Sequence, residues 1–152
     1  MLDVAVIGGG IGGEHINGYA KLPERFRVTA VCDLNQDLAR NLAAQTGARS
    51  TADIDDVLAD PDIDIVDICL PPAMHVPVAI RVLETGKHAS VEKPVAGSLV
   101  EADQLIAAEA RSHGSLFPVF QYRYGKAFDQ LATLRAAGLP GRPVAATIET
   151  HW

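Results

Sequence analysis

Apolar and polar positions along the chain fall into two alternating kinds of run. Residues 2–7, 26–32 and 63–70 are short, nearly continuous apolar stretches rich in Val and Ile. Such runs read as strands buried on both faces. Between them the apolar residues recur at helical spacing, which reads as amphipathic helix. In chain order the pattern predicts strands over 2–7, 26–32, 48–50, 63–70, 88–91 and 116–120. Helices are predicted over 11–22, 35–46, 54–59, 74–84 and 98–112. Breakers stand where these helices should stop: Pro23, Gly47, Gly86 and Gly114. Ser98-Leu99-Val100-Glu101 has the form of a capping box, in which hydroxyl and carboxylate each satisfy an orphan N–H at the helix start. A last helix over 126–137, before Gly138, and a strand over 144–151 complete the series.

Strands alternating with helices predict a parallel sheet built from βαβ units. Six of them give an α/β, doubly wound Rossmann sheet of order 3-2-1-4-5-6. The strand over 144–151 has no place in that count, and a lone strand cannot bury its face. The expected organisation is therefore a single Rossmann domain over 1–122. Residues 123–152 would be a junction helix and the first strand of a further α/β domain, before which the chain is truncated. An unpaired strand there would expose apolar surface near 144–148 and invite pairing with a second copy. Repeats, low-complexity tracts and flexible linkers are absent from the sequence.

Composition narrows the partners. The net charge of -6 over 152 residues argues against nucleic acid or an anionic membrane, but not against an anionic cofactor held by backbone N–H groups. No apolar run reaches membrane-spanning length. The amino terminus lacks a basic region, and Asp3 interrupts the first apolar stretch, against a signal peptide. Cys32 and Cys69 lie apart in apolar runs, which predicts reduced, buried thiols in a cytoplasmic protein and no metal site.

Candidate chemistry begins where the first strand meets Gly8-Gly9-Gly10-Ile11-Gly12-Gly13. A strand, then Gly-x-Gly-x-x-Gly, then a helix is a dinucleotide fingerprint, although the glycine pattern alone is common. Here Gly8 would permit the tight turn. Gly10, beside Ile11, would let the backbone approach a pyrophosphate, and Gly13 would let the helix pack on the strand. The pyrophosphate would sit at the helix N-terminus. Asp33 ends the second strand about twenty residues on, where an acid binds the adenosine ribose. No Arg or Lys follows it directly, so NAD is expected over NADP. Asp33 could alternatively cap the next helix. Leu70, Pro71, Pro72 and His75 fall at the end of the fourth strand, at the topological switch point. His75 is expected to face that crevice from early in a helix, and could instead be structural. Glu92-Lys93-Pro94 ends the fifth strand. Lys93 there could hydrogen-bond a substrate hydroxyl and favour its alkoxide-like oxygen, or pass a proton; it could also be a solvated surface lysine.

Together, Gly8 to His15, Asp33, Pro71-Pro72-x-x-His75, Thr85-Gly86-Lys87-His88, Glu92-Lys93-Pro94 and Gln121-Tyr122-Arg123-Tyr124 resemble the Gfo/Idh/MocA oxidoreductases. The resemblance implies a pyridine-nucleotide-dependent enzyme acting on a sugar, cyclitol or similar alcohol. It implies Lys93 as the catalytic lysine, with Glu92 and Pro94 shaping the nicotinamide end and Pro71, Pro72 and His75 lining the cofactor crevice. Many relatives carry Asn where this chain has Pro72, so a hydrogen bond from that side chain is lost. Arg123 would face cofactor or substrate, or anchor the domain junction. Family members are roughly twice this length. Their second domain supplies an Asp and a His to the active site and usually forms the oligomer interface, so a homo-oligomer is implied at full length. His151, at that domain's start, is not the catalytic histidine, and the isolated chain would be inactive. The competing functional class is a non-catalytic NAD(H)-binding sensor; the retained Lys93 speaks for the enzyme.

Overall fold

The computed structural model describes residues 1–139, 141, 142, 144, 145 and 147. They form two compact units, Met1–Val119 and Phe120–Trp152. The first unit runs β1 (Leu2–Ile7), α1 (Gly9–Tyr19), β2 (Phe26–Cys32), α2 (Gln36–Ala44), β3 (Arg49–Thr51), α3 (Ile54–Leu58), β4 (Ile65–Ile68), α4 (Pro72–Glu84), β5 (His88–Val91), α5 (Leu99–Glu109) and β6 (Leu116–Pro118). All six strands are parallel and lie in the order β3-β2-β1-β4-β5-β6, as the alternation of runs predicts.

The central strands are apolar on both faces because helices cover both. On one face Val4, Val6, Val28 and Val31 pack with Ile16 of α1 and with Ala39, Leu42 and Ala43 of α2. On the other, Ala5, Ile7, Val66, Ile68 and Val91 meet Val57 of α3, Val82 and Leu83 of α4, and Leu105 and Ala108 of α5. Each large side chain buried this way contributes about 1.5–3 kcal/mol. Asp67, at the centre of β4, is an acid fully buried on this sheet.

Element ends differ from expectation where glycine and proline act. Helix α1 starts at Gly9, two residues early, because Gly8 at φ 94° turns the chain at once. Helix α4 starts at Pro72 rather than Met74. Pro71 is its N-cap and Pro72 occupies the first turn, where a missing N–H costs nothing. The Pro-Pro pair therefore both ends the strand segment and opens the helix. The capping box holds in a shifted form: the Glu101 N–H donates to Ser98 Oγ (3.2 Å), and Glu101 Oε2 accepts from the N–H of Gly97 (2.7 Å).

The second unit contains a 3-10 turn, Gln121–Tyr124, and helix α6 (Lys126–Ala136). The strand expected over 144–151 falls largely outside the described residues. Among the described residues, no helix is long and apolar enough to cross a membrane.

Candidate functional site

Parallel strands present their carboxyl ends on one edge of the sheet. Here that edge carries Gly8 after β1, Asp33 after β2, Leu70 and Pro71 after β4, and Glu92 and Lys93 after β5. β1 and β4 are neighbours, and the chain leaves them in opposite directions, to β2 and to β5, so the switch point lies between Gly8 and Leu70.

The glycine turn is built against β4. A Cβ on Gly8 would lie 2.4 Å from the carbonyl oxygen of Cys69, so no side chain fits there. Close packing of helix on strand belongs to Gly12, not to Gly13 as the spacing suggests. A Cβ on Gly12 would reach Val6 Cγ1 at 2.8 Å, whereas one on Gly13 would meet Leu42 Cδ2 at an ordinary 3.4 Å. A Cβ on Gly10 would meet no atom within 4 Å. Gly10 and Ile11 are exposed at the opening of α1, so the space before the helix start is free for an anion.

Asp33 is tied to this turn. Its Oδ2 accepts the Gly9 N–H at 2.6 Å and its Oδ1 accepts the Asn35 N–H at 2.7 Å. The capping alternative is resolved in favour of Asn35, whose side chain accepts the Leu38 N–H at 3.2 Å. Asp33 thus stands beside the helix opening with its carboxylate fixed by backbone donors. Beyond it Leu34 is 89 % exposed, and no basic side chain stands between Asp33 and Arg40 in the sequence.

His75 departs from the crevice-facing expectation. It is 1 % exposed, with Nδ1 2.8 Å from the Pro94 carbonyl oxygen and Nε2 2.7 Å from the Leu70 carbonyl oxygen. The ring is a strut under the edge that joins the loop after β4 to the loop after β5. The early turns of α4 put it there, with Pro71 and Pro72 left exposed above.

Glu92 and Lys93 differ sharply in exposure. The Lys93 side chain is 53 % exposed, while the Glu92 side chain is 8 % exposed, its Oε2 accepting the Lys93 N–H at 3.0 Å. The same oxygen lies 3.8 Å from Lys93 Nζ. The other Glu92 oxygen lies 3.2 Å from His15 Nε2, and His15 Nδ1 lies 2.8 Å from Asp67 Oδ2. Tyr19, one turn further along α1, donates its hydroxyl to the same Asp67 oxygen at 3.1 Å. Hydrogen bonding to Asp67, and then the charges of Asp67 and Glu92, raise the His15 pKa above its usual value. Burial raises the Tyr19 phenol, and burial with the two carboxylates raises the Cys69 thiol.

His15, Asp67 and Cys69 place one nitrogen, one oxygen and one sulfur within 4.8 Å of one another. The ring and carboxylate are already hydrogen-bonded to each other, and the thiol is held in its protonated form, so the arrangement reads as a polar network. This network escaped the sequence reading, in which His15 was only the tail of the glycine motif. The available signal was the pairing of His15 and Tyr19 at i, i+4 on one helix face with an acid inside an apolar strand.

One of the family-like motifs lies away from this edge. Lys87 precedes β5, at the opposite end of the sheet, and is buried; its Nζ donates to the carbonyl oxygens of Asp60 (2.5 Å) and Ile63 (3.1 Å). His88 Nδ1 accepts the Ser115 N–H at 3.0 Å. Both fasten β5 to its neighbours. Arg123 belongs to the second unit, in the 3-10 turn.

The edge fits a dinucleotide by its own chemistry: a helix opening with room before it, a carboxylate on the neighbouring strand end, and a lysine across the switch point. Levoglucosan dehydrogenase of Pseudarthrobacter phenanthrenivorans is 34% identical over 131 residues, covering 80% of this chain and 34% of that protein. Inositol 2-dehydrogenase of Salmonella typhimurium is 28% identical over 147 residues, covering 94% of this chain and 44% of that protein. The crystal structure of GenD2 from gentamicin A biosynthesis, in complex with NAD, superposes with a TM-score of 0.85 at 34% identity, covering 90% of this chain and 39% of that one. The chain thus spans well under half the length of these relatives. Residues 2–120 match the model of the oxidoreductase family with an NAD-binding Rossmann fold, and the chain belongs to that family, Gfo/Idh/MocA.

Proposed function

We propose that this chain is the cofactor-binding part of an NAD-dependent dehydrogenase that moves a hydride between nicotinamide and a sugar, cyclitol or similar alcohol. The observation that carries this reading is the convergence of the Gly8 turn, Asp33 and Lys93 on one edge of a single sheet. The levoglucosan and inositol dehydrogenases among its relatives support the substrate class.

In this reading the free N–H groups at the start of α1, over Gly10 and Ile11, hold the pyrophosphate. Gly8 and Gly13 keep the turn against the sheet and α2. Asp33, its carboxylate fixed by Gly9 and Asn35, accepts hydrogen bonds from the adenosine ribose hydroxyls. Leu70, Pro71 and Pro72 form the wall after β4, and Glu92 and Pro94 flank the nicotinamide end. His75 acts by holding the Leu70 and Pro94 carbonyls in place, not by contact. The bound nicotinamide supplies the site that accepts or returns the hydride. Lys93, exposed and on a fixed turn, hydrogen-bonds the reacting hydroxyl of the substrate. As the hydride leaves the carbon, the hydroxyl proton passes to the Lys93 amine; the ammonium so formed favours the oxygen while it is alkoxide-like, and in the reverse direction it returns that proton.

A fluorescence titration of the chain with NADH and NADPH tests the cofactor assignment. A 2′-phosphate would meet the Asp33 carboxylate without a nearby cation, so NADH is expected to bind at least roughly tenfold more tightly than NADPH. Asp33→Ser is expected to narrow that gap mainly by weakening NADH. Equal affinities in the unaltered chain would remove Asp33 from the proposed site.

A further inference from the structure

The polar network behind Lys93 is larger than a cofactor cradle requires. His15 lies between two carboxylates from different strands, Asp67 of β4 at 2.8 Å and Glu92 after β5 at 3.2 Å. Asp67 is fully buried, and its second oxygen has no hydrogen-bond partner among the described residues. Burying a carboxylate in the middle of a parallel sheet is costly unless a cation faces it. The His15 ring, 17% exposed at its side chain, is the cation-capable group that touches both acids. It is one hydrogen bond from Glu92, which in turn accepts the Lys93 N–H.

We propose that His15 is a specificity-determining residue that sets the preference of the site for oxidised over reduced NAD. This rests on the reading that the nicotinamide end lies at the Glu92-Lys93-Pro94 turn. NAD+ and NADH carry the same pyrophosphate and riboses; the difference in charge is on the nicotinamide ring. Their relative affinity therefore reports the local charge at that end of the site. With His15 protonated, the ring cancels part of the Glu92 and Asp67 charge, and the positive nicotinamide ring loses support. With His15 neutral, the two carboxylates act unopposed and favour NAD+.

Asp67, Glu92 and Cys69 face the His15 ring directly, and Tyr19 shares the Asp67 oxygen with it. Tyr19 and Cys69 are pushed up by burial, so both stay neutral, and Asp67 and Glu92 are the anions that the ring answers. Lys93 reaches the ring only through Glu92. The raised pKa of His15 places the change above the usual histidine value of about 6.5. Raising the pH through it removes one positive charge from the network. One charge acting over roughly 10 Å in a partly screened site changes a binding ratio by about 3- to 10-fold.

The test is to measure Kd for NAD+ and for NADH on this chain from pH 6 upward, beside an NMR titration of the His15 ring with each cofactor bound. The ratio Kd(NAD+)/Kd(NADH) is expected to fall about 3- to 10-fold as His15 deprotonates. Linkage requires the His15 midpoint to be lower with NAD+ bound than with NADH bound, by the same factor. His15→Gln is expected to flatten the ratio against pH while both cofactors still bind. A flat ratio in the unaltered chain, or the same slope in His15→Gln, would overturn the proposal and leave the cofactor assignment standing. If His15→Gln fails to fold, identical His15 midpoints with the two cofactors overturn it from the unaltered chain alone. Failure of both cofactors to bind overturns the proposed function, and this inference with it.

Discussion

Gly8→Ala is expected to lower the unfolding free energy of the chain by roughly 2–4 kcal/mol and to abolish NADH binding. Two effects add at this position. The backbone stands at φ 94°, where a side chain is strained. The new Cβ would also lie 2.4 Å from the carbonyl oxygen of Cys69, a residue tied to β1 by its own N–H, which donates to the Ile7 carbonyl oxygen at 2.8 Å. Either the turn or the strand end must shift, and the helix opening moves with it. Gly10→Ala provides the contrast, because its Cβ would meet nothing within 4 Å. That variant should unfold within about 0.5 kcal/mol of the parent, as surface substitutions do, and still lose NADH affinity, since the methyl would fill the space before the helix. Urea melts and NADH titrations of both variants check the pair. A Gly8→Ala protein as stable as its parent would contradict the steric account of the turn.

Lys93→Ala is expected to lower turnover by roughly 10²–10⁴-fold in a catalytically active protein containing this chain, with NADH affinity changed little. The side chain is more than half exposed and contributes little to the core, so the fold should tolerate its loss. Its nearest charged partner is Glu92 at 3.8 Å, and the backbone N–H that holds the turn to Glu92 is kept in the variant. The loss should therefore fall on the reaction and not on binding of the nucleotide. Lys93→Arg keeps the charge but changes its shape and reach, and should recover only part of the activity. Stopped-flow hydride transfer and NADH titration separate the two effects. Unchanged turnover in Lys93→Ala would take the lysine out of the chemistry.

Much of the scaffold was legible because parallel sheets write themselves plainly. Strands such as 2–7 and 26–32 are buried on both faces and cannot include polar residues without consequence, so their runs stand out. The position of Asp33 on the carboxyl edge could be found from its distance to the glycine turn, and that of Lys93 from its place after a strand. What the sequence hid were relations across the sheet. Gly12 and Gly13 are adjacent in the motif, and only the closeness of Val6 shows which one packs on the strand. His75 looks like a crevice residue until two carbonyl oxygens are seen to occupy both ring nitrogens. Pro71-Pro72 reads as a stop signal, yet it also starts α4, because a proline in the first turn serves both roles. The His15–Asp67–Glu92 network joins a helix to the interior of β4 and to the turn after β5, 52 and 77 residues away, and no local pattern announces such a contact.

In the proposed function one dinucleotide lies along the carboxyl edge from Asp33, over the helix opening, to Lys93. Amide chemical-shift mapping of the chain on addition of NAD+ tests it directly. The largest shifts are expected to cluster at Gly8–Ile11, at Asp33 and Leu34, and at Glu92 and Lys93, with Lys87 and His88 at the opposite edge unmoved. Shifts confined to the Lys87 edge, or no shifts at saturating NAD+, would contradict it.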